Sequence, residues 1–262
     1  MKAWLLALAV TTAAAQPTCD KPVYLTFDTG HMGVAPLIAE TLKRHNARAT
    51  FFLASEPTKT GGTTLDDSWA PWWRERVAEG HDFGSHTWDH DVFLEDILDA
   101  DGKVVRFKVR TQAGINPPVV RELTPEQYCA SLKKVGERFT AMTGKPLAPL
   151  FRAPAGRTSA ALLNTAKACG FSHVGWSRAG FLGDELPSAT FPNATLLERA
   201  LRAVVARDGQ GDDAPHVDAH LQRAVSRRAE CNLGGARAVR GRQRHLVAVA
   251  LVGHGIERGP AL

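Results

Sequence analysis

The chain has 262 residues, which is enough for one large domain or two small ones. Hydrophobic residues make up 44% of it and charged residues 23%, so a core of ordinary size can be buried. This composition excludes disordered, collagen-like and multi-span membrane proteins. The formal net charge is +5, but residues 203–262 alone hold nine arginines against six acidic residues. Because the positive charge is concentrated in that one segment, we expect no nucleic-acid partner.

Residues 1–15 have the pattern of a secretory signal peptide. Lys2 supplies one positive charge, a short apolar run extends from Ala3 to Val10, and small residues precede an expected cleavage point near Ala15. The alternative is a short buried helix, and the run falls short of the about 20 apolar residues that span a bilayer. We therefore expect an exported protein, periplasmic or secreted, with no stable membrane association after cleavage.

Four cysteines suit such a compartment, because disulfides persist there. They are Cys19, Cys129, Cys169 and Cys231. Four cysteines allow three pairings, and the sequence does not choose among them.

Short apolar strands alternate with helical segments in the first part of the mature chain. The predicted elements are a strand at Val23–Phe27, a helix at Ala35–His45, a strand at Ala49–Ala54, a helix at Asp66–Glu79 and a strand at Gly80–His86. Strands and helices that alternate at this spacing are typical of a parallel α/β sheet.

Residues 91–122 interrupt this alternation. Lys103–Val109 alternates like an exposed strand, and its flanks show no core pattern, so we interpret the segment as an insertion. It would either cover a substrate groove or form a surface elaboration.

The alternation resumes after the insertion. The predicted elements are a helix that begins at Thr124-Pro125 and ends near Gly144, a strand that ends at Arg152, a helix at Ser159–Cys169 and a strand at Phe171–Trp176. In a barrel of parallel strands, the loops that follow the strands lie on one rim, where side chains for chemistry collect.

The composition changes sharply in the C-terminal tail, residues 203–262. No aromatic Phe, Trp or Tyr follows Phe191, and only Leu246–Val252 has the pattern of a strand. One interpretation is an irregular or disordered tail. The other is a shift of the reading frame near Gly211, which would remove the native final strands.

Polar side chains follow three of the predicted strands. Asp28 ends the first strand, His86 and His90 follow the third, and Arg152 ends a later one. Two imidazoles four residues apart suit zinc and neighbouring divalent metals, although surface or hydrogen-bonded histidines also show this spacing. Because parallel strands end on one rim, these side chains are expected to converge.

In this order the residues resemble the polysaccharide deacetylases of the NodB-homology type, carbohydrate esterase family 4. Thr26–Gly30 is similar to that family's TFDDG motif, His86–His90 to its H(S/T)xxH motif and Arg152–Gly156 to its RxPxG motif. The resemblance implies an α/β fold, a distorted (β/α) barrel over residues 20–202. It also implies a metal-dependent hydrolase that removes acetyl groups from N-acetylated sugars of chitin or peptidoglycan.

The resemblance implies a role for each matching residue. Asp28 is the expected catalytic base and Arg152 the residue that orients it, while His86 and His90 are expected to hold a divalent metal, zinc or else cobalt. The expected substrate-binding residues are Pro154, Gly156 and Trp176, with ordinary core packing as the alternative for Trp176. These roles fit amide hydrolysis, because a metal polarises the carbonyl and a carboxylate removes a proton from water.

Three departures from the family pattern concern the metal and the acid. Thr29 stands where the family has a second aspartate, its third metal ligand, and His31 is an alternative ligand. The acidic residue of the fourth motif is missing after Trp176, where Asp184 is either a substitute or a loop cap. The expected general acid is His254, which follows an apolar run as the family's fifth motif does but lies far along the chain from Trp176.

Two histidines of the tail, His216 and His220, are alternatives to His254 as the general acid. The departures also leave two other functions open. One is a non-catalytic glycan-binding protein on the same scaffold, and the other is a hydrolase of another non-peptide amide.

Overall fold

The computed structural model describes residues 23–111, 118–176, 182–183, 188–205 and 245–250. Its centre is a six-stranded sheet of parallel strands, numbered along the chain and arranged in the order β8-β7-β3-β2-β1-β9. These strands are β1 (Val23–Asp28), β2 (Ala49–Leu53), β3 (Asp82–Ser85), β7 (Leu150–Phe151), β8 (Ser172–His173) and β9 (His245–Ala250). The sheet forms a half-barrel, which confirms the predicted α/β class.

Helices connect the strands of this sheet. They are α1 (Ala35–Arg44), α2 (Ala70–Ala78), α3 (Pro125–Thr143), α4 (Ala160–Ala168) and α5 (Asn193–Val205). The start of α3 follows from local sequence, because the Thr124 hydroxyl accepts from the Gln127 backbone and the Gln127 side chain accepts from the Thr124 backbone. Gly144, at φ 75°, ends the helix in the left-handed conformation that glycine adopts without strain. Among the described residues, no helix is long and apolar enough to cross a membrane.

Aromatic side chains fill the core between the sheet and α1, α2 and α3. Phe51 of β2 stacks between Phe27 and Phe83, with ring centroids 5.4 Å and 5.9 Å away. Trp73 of α2 packs edge-on against Phe51 and is fully buried, and its indole N–H donates to the Thr64 carbonyl at 2.8 Å. Aromatic pairs of this kind stabilise the core beyond the burial of apolar area, and they pack against the strands whose carboxyl ends bear the polar side chains predicted from the sequence.

The insertion is more ordered than the sequence pattern indicates. It is a three-stranded antiparallel sheet, hereafter the small sheet, made of β4 (Asp91–Leu98), β5 (Val104–Thr111) and β6 (Val119–Leu123). The alternation at Lys103–Val109 was interpreted as that of an exposed strand, but Phe107 and Val109 of β5 are fully buried, and the ring centroids of Phe107 and of Tyr128 in α3 are 5.7 Å apart. The flanks lack an alternating pattern because β4 buries three consecutive residues at its start, Asp91 to Phe93, and β6 buries only Leu123 at its end.

A disulfide joins Cys129 of α3 to Cys169 at the end of α4. It selects one of the pairings that the sequence left open for these two cysteines. Cys19 and Cys231 lie outside the described residues.

The second edge of the large sheet is formed by the C-terminal tail. β9 pairs in parallel with β1 along its whole length, from Val23 opposite His245 to Asp28 opposite Ala250. This strand overlaps the apolar run Leu246–Val252 that the sequence singled out. Most of the tail, residues 206–244 and 251–262, lies outside the described residues, as do residues 1–22 with the expected signal peptide.

Candidate active site

Three polar side chains meet at the carboxyl edge of the large sheet. Asp28 is the last residue of β1, His86 follows β3 and Arg152 follows β7. Backbone hydrogen bonds continue the ladder past the strand ends, from the His86 amide to the Leu53 carbonyl at 2.7 Å and from the Arg152 amide to the Ser85 carbonyl at 2.9 Å. Because these strands are parallel, the three side chains emerge at the same edge.

The Arg152 side chain is fully buried and oriented by several partners. It donates from Nη1 to Asp28 Oδ1 at 2.8 Å, from Nη2 to Thr26 Oγ1 at 2.9 Å and from Nε to the Val174 carbonyl at 3.0 Å. The guanidinium also lies 4.3 Å from the ring centroid of Phe52. Burial lowers the pKa of Arg152, and the Asp28 carboxylate opposes that effect. The guanidinium therefore holds one carboxylate oxygen of Asp28 in a fixed position.

His86 presents an unprotonated nitrogen to the other oxygen of Asp28. Its Nδ1 lies 2.8 Å from the Arg152 carbonyl, and because a carbonyl oxygen only accepts, Nδ1 carries the proton. Nε2 then keeps its lone pair and lies 3.8 Å from Asp28 Oδ2. Burial lowers the pKa of His86, while the Asp28 carboxylate opposes that effect, so the neutral ring is favoured.

His90 lies beside His86 and shares its protonation state. The two ring centroids are 4.8 Å apart and the rings are nearly perpendicular. Burial, and then the positive charge of a protonated His86, lower the pKa of His90 to about 3. Among the described residues its Nδ1 atom is buried without a hydrogen-bond partner. Two neutral imidazoles, one with an orphan nitrogen, fit the ligands that a divalent metal prefers.

Thr29 does not supply a third ligand in this arrangement. Its side chain is fully buried, and its hydroxyl accepts from the Ala54 amide at 2.8 Å and donates to the Ala54 carbonyl at 3.4 Å. His31 Nδ1 accepts from the Gly33 amide at 2.9 Å. In the described part of the chain, no group of three or more His, Cys, Asp or Glu side chains is placed to hold one metal ion. The donor set that fits a metal is therefore the imidazole pair, with the Asp28 carboxylate beside it.

The Arg152–Gly156 motif forms one wall of this region. Pro154 is buried and begins a tight turn that ends at Gly156, in which Ala155 (φ 55°) and Gly156 (φ 64°) are both left-handed. A β-carbon at position 156 would lie 2.9 Å from the Trp176 ring, so the absence of a side chain there admits the indole. The same ring lies 5.5 Å from the Arg152 guanidinium. Pro154 and Gly156 thus shape the loop that carries Arg152, and Trp176 packs over it.

One titratable neighbour of the site was missed by sequence reasoning. His173 of β8 packs against Phe151, with ring centroids 5.0 Å apart and the rings tilted by 54°, and its Nε2 is buried without a partner among the described residues. Burial, and after it the positive charges of Arg152 and of a protonated His86, lower the pKa of His173 to about 4. A histidine inside a two-residue strand carries no motif, so only the strand order reveals its position. His254, His216, His220 and Asp184 lie outside the described residues.

Comparisons with known sequences agree with this arrangement. Residues 15–174 match the sequence profile of the polysaccharide deacetylase family. A chitooligosaccharide deacetylase of Azorhizobium caulinodans is 28% identical over 156 residues, which are 59% of this chain and 58% of that protein. The peptidoglycan-N-acetylmuramic acid deacetylase PdaA of Bacillus subtilis is 29% identical over 164 residues, which are 62% of this chain and 49% of that protein.

A shorter stretch is more similar to the peptidoglycan-N-acetylglucosamine deacetylase PgdA of Listeria monocytogenes. The two are 41% identical over 73 residues, which are 27% of this chain and 14% of that protein. The chain thus spans less than two thirds of the length of each of these relatives.

Solved structures show the same fold. The chitin deacetylase of Colletotrichum lindemuthianum superposes with a TM-score of 0.54 at 18% identity, over 90% of this chain and 76% of that one. A carbohydrate esterase of the CE4 family from Streptococcus mutans superposes with a TM-score of 0.51 at 19% identity, over 89% and 75% of the two chains. The profile match covers more than half of the chain and contains Asp28, His86 and Arg152. The chain belongs to the polysaccharide deacetylase family.

Proposed function

We propose that the protein is a metal-dependent hydrolase that removes acetyl groups from the N-acetylated sugars of a polysaccharide of the chitin or peptidoglycan type. The observation that carries this proposal is the convergence of Asp28, the buried Arg152 and the unprotonated Nε2 of His86 at one edge of the sheet. Family membership supports the proposal, since the relatives named above are deacetylases of such glycans.

The reaction adds water to the acetyl carbonyl carbon and then breaks the carbon–nitrogen bond, which releases acetate and an amine. His86 and His90 are the residues that would hold a divalent metal, zinc or cobalt. When bound, such a metal polarises the carbonyl and lowers the pKa of water toward about 7. Asp28 Oδ2 faces the same space and is the base that accepts a proton from the attacking water.

The other residues around the site orient these groups. Arg152 fixes the rotamer of Asp28 through Oδ1 and leaves Oδ2 directed toward His86. The carbonyl of Arg152 accepts from His86 Nδ1 and thereby sets the tautomer of that ring. Trp176 offers an aromatic face beside the motif loop, on which a sugar ring would stack. His254 is the proposed general acid for the leaving amine.

Acetate release tests this function directly. The mature protein is incubated with Zn²⁺ or Co²⁺ and with acetylated chito-oligosaccharides or peptidoglycan fragments. We expect release by the native chain, a loss of about 100-fold or more in Asp28→Asn because a general base is removed, and no release by His86→Ala. Absence of release from the native chain, or full release from His86→Ala, would contradict the proposal. A panel of other acetylated amines separates a glycan deacetylase from a hydrolase of another amide.

One observation favours a second function, a glycan-binding protein without turnover. The Thr29 hydroxyl bonds to Ala54, so the histidine pair lacks the third ligand that catalytic zinc usually has. Zinc content and retention on chitin or peptidoglycan distinguish the two: retention with negligible zinc favours binding alone. Thr29→Asp introduces a carboxylate, and we expect this variant to bind zinc more tightly than the native chain because a third ligand becomes available.

The protein is also proposed to act outside the cytoplasm. The Cys129–Cys169 disulfide supports this location, since such bonds persist in oxidising compartments. The proposed partner is the N-acetylated glycan itself.

A further inference from the structure

The loop that carries both histidines, residues 86–90, has an unusual backbone. Thr87 has φ 62° and His90 has φ 51°, and both lie in the left-handed region that residues with a β-carbon rarely adopt. Such a conformation persists only where the surrounding structure fixes it. The contacts of the loop therefore decide where the His90 ring points.

The first half of the loop is held by the large sheet. The His86 amide donates to the Leu53 carbonyl at 2.7 Å, and the Ser55 amide donates to the Trp88 carbonyl at 2.7 Å. Inside the loop, the Asp91 amide donates to the Thr87 hydroxyl at 2.7 Å. These bonds fix His86, but His90 itself lies at the far end of the loop, next to the small sheet.

The second half of the loop is held by the small sheet. Arg121 of β6 donates from one nitrogen, Nη2, to Asp91 Oδ1 at 2.8 Å and to Asp89 Oδ2 at 2.7 Å. The Asp91 carboxylate is fully buried and also accepts from the Thr111 hydroxyl of β5 at 2.9 Å. Ser131 of α3 donates to its other oxygen at 3.3 Å. One guanidinium nitrogen thus joins the two carboxylates on either side of His90.

We propose that the small sheet positions His90 for metal binding, and that Arg121 is the positioning residue, acting through Asp89 and Asp91. The inference rests on the proposed function, because it assigns the metal to the histidine pair. With both neighbours of His90 anchored, the backbone keeps its left-handed turn and the ring stays 4.8 Å from that of His86. Without the hydrogen bonds from Arg121 to Asp89 and Asp91, His90 relaxes to a negative φ and its ring moves away from that of His86.

The geometry provides a rescue variant and a matched control. Arg121 makes both contacts through Nη2 alone, and its Nε is buried without a partner among the described residues. A lysine there is one atom shorter but keeps a positive charge beside both carboxylates, so it serves as a partial rescue. Arg106 lies on the neighbouring strand β5, 3.8 Å from Glu122, with both side chains 51% exposed. Its replacement removes the same charge from the small sheet without touching the histidine loop.

The test is a calorimetric titration of the full chain with Zn²⁺ at a temperature where circular dichroism shows every variant folded. We expect Arg121→Met to raise the dissociation constant about 10-fold or more, as outer-sphere substitutions do. Arg121→Lys keeps the positive charge beside the two carboxylates and is expected to bind Zn²⁺ more tightly than Arg121→Met, while Arg106→Met is expected to leave the native value unchanged. A folded Arg121→Met that binds Zn²⁺ within about 2-fold of the native chain overturns the inference.

Two further measurements cover the remaining outcomes. If Arg121→Met does not fold, Thr111→Val removes one bond to the same carboxylate, and weaker Zn²⁺ binding supports the inference whereas native affinity overturns it. If the native chain binds no metal, the proposed function fails by itself. Hydrogen exchange of residues 86–91 in the metal-free chain then decides: faster exchange in Arg121→Met than in Arg106→Met supports positioning, and equal rates overturn it.

Discussion

The Arg152→Met substitution measures how strongly the site depends on its buried ion pair. Methionine keeps the apolar length of the side chain and adapts to irregular cavities. It removes every donor that Arg152 provides, including the bond to Asp28 Oδ1 at 2.8 Å and the bond to the Val174 carbonyl at 3.0 Å. The Arg152 side chain has no exposed area, whereas Asp28 retains 15% exposure.

The structure sets the size of the expected effect. Removing one partner of a buried pair costs about 3–5 kcal/mol, because a charge is left without compensation. Since Asp28 can take up some water through its exposed part, we expect the free energy of unfolding to fall by about 3 kcal/mol, at the lower end of that range. Arg44→Met is the control, because Arg44 pairs with Glu40 at 3.6 Å with side chains 59% and 72% exposed. An exposed pair of this kind contributes about 0–0.5 kcal/mol.

Urea denaturation of the metal-free protein measures the free energy of unfolding of both variants. Asp28→Asn and the double variant that combines it with Arg152→Met complete a double-mutant cycle. The double variant is expected to lose less stability than the two single losses together, because each single change leaves the other group unpaired. A loss below about 1 kcal/mol in Arg152→Met, or strict additivity in the cycle, would refute the reasoning.

Two other predictions concern pH and the disulfide. Because the pKa of His90 is lowered to about 3, the unfolded chain binds a proton there that the folded chain does not, and stability must fall as pH falls below about 6.5. When the pH is lowered from 6.5 to 5, the free energy of unfolding of metal-free His90→Asn should fall by less than that of the native chain, with a difference of up to about 2 kcal/mol in urea titrations. Equal losses in the two proteins would contradict this. Replacing Cys129 and Cys169 by alanine removes a cross-link between residues 40 positions apart, and it should lower the free energy of unfolding by about 4 kcal/mol in the same urea measurement. A cost below about 1 kcal/mol would show that the unfolded chain is not restrained by the bond.

Much of the fold follows from short-range signals. The capping box at Thr124 and the left-handed Gly144 bound α3 where the sequence predicts, because both act within a few residues. Strand β8 is shorter than predicted, with only Ser172–His173 paired, since pairing depends on how far its neighbour β7 extends. The small sheet was largely missed, because its core face is completed by Tyr128 of a helix later in the chain.

The candidate site shows the same division. Asp28, His86 and Arg152 could be expected at one edge, because parallel strands connected by helices end on the same side. The partner of the Thr29 hydroxyl could not be expected, because Ala54 is 25 positions away and follows a different strand, β2. The hydrogen bonds from Arg121 to Asp89 and Asp91 also span about thirty positions and correspond to no pattern in the sequence.

The amino-acid sequence alone was sufficient to predict the alternating strands and helices and the residues that share one rim, because periodicity, capping and chain direction are local properties. It was not sufficient for the pairing of Cys129 with Cys169, for the edge position of β9 beside β1, or for the support beneath the histidine loop. Each of these features depends on which segments, distant in the sequence, pack against one another when the chain folds. That choice is made by the free energy of the whole core rather than by any one segment.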